Sequence, residues 1–169
     1  SYIDQWYLDN LVCPIDKSPV ICENNQLHCL EHSHIYSIFR RIPIMLVDKY
    51  QKTNNLHGLR SINIVDGREK LRFDFKSELK IDEIDPLVQN IIAETNSHFY
   101  AQASGKLKTY TIPDFPLSTK NKNLLLDIGC GWGRWCISAN KSGFNTVGID
   151  SCVESILSAI RISKQLNIK

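Results

Sequence analysis

The stretch "LLLDIGCGWGRW", Leu124 to Trp135, decides how the second half of this 169-residue chain is read. Leu124 to Leu126 form an apolar run that suits a strand buried on both faces at the centre of a parallel sheet. Asp127 breaks the run just before the strand ends. Gly129, Gly131 and Gly133 then alternate with Cys130, Trp132 and Arg134, and a helix is expected to begin inside this turn. Omitting the side chain at three alternate positions lets a ligand approach the backbone closely, and it exposes amides at the helix N-terminus.

Downstream the pattern is strand, helix, strand, helix: Leu124 to Ile128, Gly133 to Lys141, Thr146 to Ile149, and Val153 to Leu166. Ser151 and Glu154 have the spacing of a capping box, and Val153, Ile156, Leu157, Ile160 and Leu166 share one helical face. Such alternation predicts a parallel sheet. A nucleotide-like ligand belongs at the C-terminal end of such strands. A dinucleotide turn, G-x-G-x-x-G, needs glycine where Arg134 stands, which argues against a nicotinamide cofactor. The second strand ends in Asp150, 21 residues after Gly129. A carboxylate there can accept hydrogen bonds from both hydroxyls of a ribose and would repel a 2'-phosphate.

Upstream, Asp85-Pro86 reads as an N-cap followed by proline in the first turn. Leu87, Val88, Ile91, Ile92, Thr95, Phe99 and Ala103 follow at helical spacing up to Gly105, which predicts a helix over Pro86 to Ala103. Residues 49–84 are polar, with "QKTNN" and "DGREK" as turn signals around a strand expected at Ser61 to Val65, and read as a linker. Residues 1–48 carry short β-type runs, "PVIC", "LHCL", "IYSIF" and "IPIMLV", and read as a small β-rich domain. The expected fold class is α/β: a small β-rich domain at 1–48, a linker at 49–84, and a βαβα unit within 85–169.

An apolar share of 43%, a charged share of 22% and a net charge of +2 select neither nucleic acid nor membrane as a partner. The longest apolar stretches, such as Ile42 to Val47, are far short of the roughly 20 residues of a membrane span, and no signal peptide opens the chain. A cytoplasmic protein is expected. Its six cysteines, Cys13, Cys22, Cys29, Cys130, Cys136 and Cys152, read as reduced thiols.

"LLLDIGCGWG" followed by "VGID" resembles the cofactor-binding half of the class I, Rossmann-like S-adenosylmethionine-dependent methyltransferases. The resemblance implies that Asp127 sits near the methionine end of the cofactor. It places Gly129, Cys130, Gly131 and Gly133 against the cofactor, Asp150 on the ribose hydroxyls, and Ser151 and Cys152 near the adenine edge. It also implies that the Pro86 to Ala103 helix closes over the site, with Tyr100 as a contributor. The activity implied is methyl transfer to an acceptor that the sequence does not specify, with catalytic residues unassigned. On packing grounds Cys130 reads as a small turn residue, and Trp132 and Trp135 as packing residues. The resemblance covers only the first two strands of a seven-stranded fold. Either a truncated domain, or one whose open faces are covered by a protein partner or by self-association, is therefore expected, with the chain alone inactive or nearly so.

"LVCPIDKSPV" and "LHCLEHSHIYSIFRRIPIML" together resemble the zinc-ribbon-like domain of the tRNA methyltransferase activator proteins, over Leu11 to Val47. The likeness rests on Cys13-Pro14, Cys29, Tyr36, Ile38 and the Ile42-Pro43-Ile44 strand. Zinc-binding versions carry C-x-x-C at both knuckles, whereas the second positions here are Asp16 and His32. Cys13, Asp16, Cys29 and His32 are the ligands if a metal is bound, with Cys22 or His34 as substitutes. A carboxylate in place of a thiolate is uncommon in structural zinc sites, so zinc is not expected. Cys13 and Cys29 would then pack in a small core with Val12, Leu27, Ile35, Phe39, Ile42 and Ile44. The alternative function is a non-catalytic interaction or activator module with a vestigial cofactor fold. The altered knuckles favour that alternative, and the complete Asp127, Gly129, Gly131, Gly133 and Asp150 set favours the enzyme.

Overall fold

The computed structural model of the chain describes residues 3–47, 56–80, 83–95 and 105–168. The fold is mixed α/β, with a four-stranded antiparallel sheet, then helices, then a two-stranded parallel sheet. The chain divides into two compact units, Ser1–Lys70 and Leu71–Lys169.

The first unit opens with α1, Gln5–Asn10, which the sequence reading omitted. Its signal was Asp4, whose Oδ1 accepts from the Trp6 amide at 2.9 Å and caps the helix. Strands β1 (Val20–Glu23), β2 (Gln26–Cys29), β3 (Ile35–Phe39) and β4 (Ile42–Ile44) follow in antiparallel order. Two-residue turns join β1 to β2 through Asn24-Asn25 and β3 to β4 through Arg40-Arg41, all four residues having positive φ. That is the backbone of the primed hairpin turns, whose twist matches the strands.

Register decides the core. Leu27 pairs with both Cys22 and Tyr36, so Val20, Leu27, Cys29, Tyr36 and Ile38 point inward and cluster with Ile3 and Cys13. The expected core is corrected: Phe39, Ile42 and Ile44 are half-buried and lie outside this cluster, as do Ile35 and Val12. Ile35 and Val12 are 54% and 45% exposed. On β3 the period of two permits either Ile35, Ser37 and Phe39 or Tyr36 and Ile38 to face inward, and pairing with β2 selects the second set.

Helix α2, Leu56–Val65, runs through the segment read as a linker and replaces the strand expected at Ser61 to Val65. Ile62, Ile64 and Val65 favour strands, but Gly58, Ser61 and Ile64 are buried at a spacing of three, a helical face that outweighs the propensity. The chain then folds back. The Asn63 carbonyl accepts from the Arg68 and Glu69 amides, and the Glu69 carboxylate takes Arg60 and Asn63 as donors.

In the second unit α3 spans Pro86–Thr95, and the remainder of the helix expected to Ala103 lies outside the described residues, as does Tyr100. Asp85 accepts from the Leu87 amide at 3.0 Å, and Val88, Ile91 and Ile92 are fully buried. Strands β5 (Leu124–Ile128) and β6 (Asn145–Ile149) pair in parallel, connected by α4 (Arg134–Lys141), with α5 (Val153–Gln165) after β6. The expectation that β5 is buried on both faces is corrected. Leu124, Leu126 and Ile128 are 58%, 55% and 76% exposed on one face, while Leu125 and Asp127 are half-buried on the other. A two-stranded sheet with its helix on one face leaves the alternate residues of β5 to solvent.

The helix start expected at Ser151 is shifted by one residue. Cys152 is the N-cap of α5, with no side-chain cap. Glu154, buried to 1%, accepts from the Arg72 amide at 2.6 Å and from its Nε at 2.8 Å. A second buried pair joins Asp85 to Arg161, whose Nη1 also donates to the carbonyls of Phe75 and Ser77 at 3.2 and 2.9 Å. These pairs fasten Arg72, Phe75, Ser77 and Asp85 to α5.

Candidate functional site

Gly129, Gly131 and Gly133 all have positive φ, at 76°, 54° and 83°. A side chain there would meet the left-handed penalty of roughly 1–2 kcal/mol per residue, so the alternating glycines follow from the backbone path. Their surroundings differ. A Cβ on Gly129 would meet nothing within 4 Å, which leaves open space beside the backbone. On Gly133 it would stand 3.1 Å from the Ala159 Cβ, so this glycine serves close packing of α4 on α5.

Three amides of the turn, ahead of the helix, are engaged within the chain. The Gly129 and Cys130 amides donate to the Ile149 carbonyl at 2.8 and 3.0 Å, and the Gly131 amide donates to Asp150 Oδ2 at 2.9 Å. Asp150 Oδ1 accepts from the Cys152 amide at 2.7 Å. The glycine turn and the tip of β6 are therefore one hydrogen-bonded body. Each carboxylate oxygen offers about two acceptor directions, so Asp150 retains acceptor capacity on both oxygens.

Asp127 is half-buried at the end of β5, with the Cys136 thiol donating to its Oδ2 at 3.5 Å. Ser151 and Cys152 are half-buried beside Asp150. The structure thus gathers Gly129, Cys130, Gly131 and Gly133 with Asp150 and Cys152 at the C-terminal ends of two adjacent parallel strands. Trp132, 1% exposed, packs near Tyr110, while Trp135 is 38% exposed. A cavity of about 280 Å³ lined by Glu83, Lys108, Tyr110, Lys141 and Gln165 includes none of the residues expected at the cofactor.

In the first unit Cys13, Asp16, Cys29 and His34 converge, with one donor atom from each lying within 4.8 Å of the others. The local folding that brings them together is legible. The Cys13 amide donates to the Ser18 carbonyl and the Lys17 amide to the Cys13 carbonyl, both at 2.8 Å, which curls 13–18 into a knuckle. The Cys29 amide donates to the His34 carbonyl at 3.0 Å and closes the second.

Three of the donor separations are close to those around a tetrahedral ion. Cys13 Sγ lies 3.4 Å from His34 Nδ1, Cys29 Sγ 3.4 Å from Asp16 Oδ2, and His34 Nδ1 3.2 Å from the same oxygen. Ligands at the usual zinc bond lengths are about 3.3–3.8 Å apart along a tetrahedron's edges. The donor set of two sulfurs, one carboxylate and one imidazole is therefore compatible with zinc. His34 occupies the place expected for His32. His32 bonds Asp16 Oδ2 through Nδ1 at 2.8 Å, but its side chain is 61% exposed, and it stacks on His34. Cys22 is not in the cluster.

The Ser18 amide, 2.9 Å from Oδ1, holds the Asp16 carboxyl well below the usual carboxylate range. Burial, together with a 3.0 Å contact to Cys13 Sγ, raises the Tyr36 hydroxyl above the ordinary phenol value. The knuckle thus holds a carboxylate ready ionised beside two thiols.

All six cysteines are unbridged. Among the described residues no helix is long and apolar enough to cross a membrane. No family model matches the chain, and no curated protein matches it.

Proposed function

We propose that the second unit is the cofactor-binding half of a Rossmann-like S-adenosylmethionine-dependent methyltransferase. The observation that carries this reading is the hydrogen bond from the Gly131 amide to Asp150, which sets a carboxylate beside a glycine turn at the ends of parallel strands. Gly129 leaves room for a ligand against the backbone, and Asp150 keeps lone pairs for two ribose hydroxyls. Bound there, S-adenosylmethionine would supply a methyl group on a sulfonium, activated for transfer to a nucleophile. The residues of this chain bind and orient it. Calorimetric titration of the folded chain with S-adenosylhomocysteine is expected to show binding at one site per chain. A folded chain that produces no heat overturns the reading.

For the first unit, the convergence of Cys13, Asp16, Cys29 and His34 favours a zinc-ribbon-like domain organised about a zinc-class ion over a metal-free core. The two thiolates, the carboxylate and the imidazole would hold the ion, whose role is to tie the two knuckles together. Elemental analysis is expected to find about one zinc per chain. A folded chain that carries zinc but gives no heat with S-adenosylhomocysteine supports instead a non-catalytic interaction module.

A further inference from the structure

Two thiols meet beneath the glycine turn. A Cβ placed on Gly148 of β6 would lie 2.8 Å from Cys130 Sγ and 3.0 Å from Cys136 Sγ, so both sulfurs occupy the space a side chain at this position would need. Both sulfurs thus lie within 3.0 Å of one point, and the Cys136 thiol donates to Asp127 Oδ2 at 3.5 Å. Cys130 is 7% exposed and Cys136 half-buried, and neither is bridged.

Their positions in the chain differ in kind. Cys130 lies between Gly129 and Gly131, where positive φ values let the backbone bend, whereas Cys136 is in the first turn of α4, next to the buried Ile137. A disulfide needs its sulfurs about 2.05 Å apart, so closure requires an approach that the glycine turn can supply.

We propose that Cys130 and Cys136 form an oxidative modification site, a dithiol that a hydroperoxide closes to a disulfide tying the glycine turn to the first turn of α4. One sulfur attacks the peroxide and breaks its O–O bond, giving a sulfenic acid and water when the oxidant is hydrogen peroxide. The second sulfur attacks the sulfenic sulfur, the S–O bond breaks, and the departing hydroxide takes the thiol proton as a second water. The two thiols lose two electrons and two protons in all, and the peroxide is reduced to two waters. Before oxidation Cys136 rests as a thiol, since Cys130, burial and the Asp127 charge each raise it above the usual thiol range. Closure does not depend on what the turn binds.

Trypsin separates the two cysteines at Arg134, into peptides 123–134 and 135–141 with one cysteine each. Hydrogen peroxide applied to the folded, reduced full chain is expected to yield these peptides joined, two hydrogens lighter than their sum and separable by dithiothreitol. Phenylarsine oxide, which bridges neighbouring thiols, is expected to protect both from alkylation. Peroxide that drives either sulfur to a sulfinic acid, or joins it to another cysteine without the 130–136 link, overturns the proposal. Free alkylation of both in the presence of the arsenical does so as well.

Discussion

The Gly131 amide donates to Asp150 Oδ2 at 2.9 Å, across 19 residues of chain, and so binds the glycine turn to the tip of the neighbouring strand. With Asp150 Oδ1 held by the Cys152 amide, one carboxylate fixes both the turn and the start of α5. An acid expected as a ligand contact is shown as a structural clasp.

Asp150→Ala removes both acceptors and leaves two amides unpaired. A loss of about 2–4 kcal/mol in stability is expected, together with at least a tenfold weaker response to S-adenosylhomocysteine. Asp150→Asn, which keeps one acceptor oxygen, should fall between the parent and the alanine variant. Denaturant titration alongside calorimetry measures both effects, and an alanine variant that binds as tightly as the parent removes Asp150 from the ribose assignment.

His34→Ala is expected to abolish bound zinc, whereas His32→Ala should retain it, because His34 stands in the donor cluster and His32 is mostly exposed. Elemental analysis of the two purified variants distinguishes them. Retention by His34→Ala with loss from His32→Ala would reverse the assignment.

Asp85→Ala strips the partner from Arg161, which is 8% exposed and confined against the Phe75 and Ser77 carbonyls. An uncompensated buried charge is expected to destabilise the second unit by about 3–5 kcal/mol. Replacing Lys80, 69% exposed in its pairing with Glu83, should change stability by less than about 1 kcal/mol. Urea unfolding monitored by circular dichroism compares the two.

Alkaline pH should destabilise the second unit in two stages. Cys136 is raised chiefly by the neighbouring Cys130, and Tyr110 chiefly by burial. A group whose folded pKa is raised keeps its proton in the native state while the unfolded chain loses it, so stability falls as pH rises. The contribution of each is complete below its unfolded pKa, about 8.5 for cysteine and about 10 for tyrosine, and is lost above it. Unfolding free energies measured from pH 7 upward should decline from near 8.5. Cys136→Ala should remove the first stage, and Tyr110→Phe the second.

Much of this fold is local in origin and was legible. The alternation of β1 to β4, the glycine turn, the parallel strands and the helices after them each rest on a period or a turn residue within a few positions. Of the residues singled out in the sequence, Cys13, Asp16 and Cys29 do converge, and Asp150 does lie against the glycine turn, because each sits at a turn or strand end fixed by its neighbours. The misses are long-range. Glu154 has the spacing of a capping box, yet its carboxylate is taken by Arg72, 82 residues away. The strand expected at Ser61 to Val65 gave way to a helix because a buried face, not propensity, set the outcome.

By itself the sequence determined where the backbone must turn and which chemical groups are available, because allowed φ values and hydrophobic period are properties of neighbouring residues. Only the tertiary structure decided that His34 rather than His32 joins the cysteines, that Ile35 faces outward, and that two thiols share the space left by Gly148. Those outcomes depend on loop closure, strand register and close packing, which bring together groups whose separation along the chain carries no record of their distance in space.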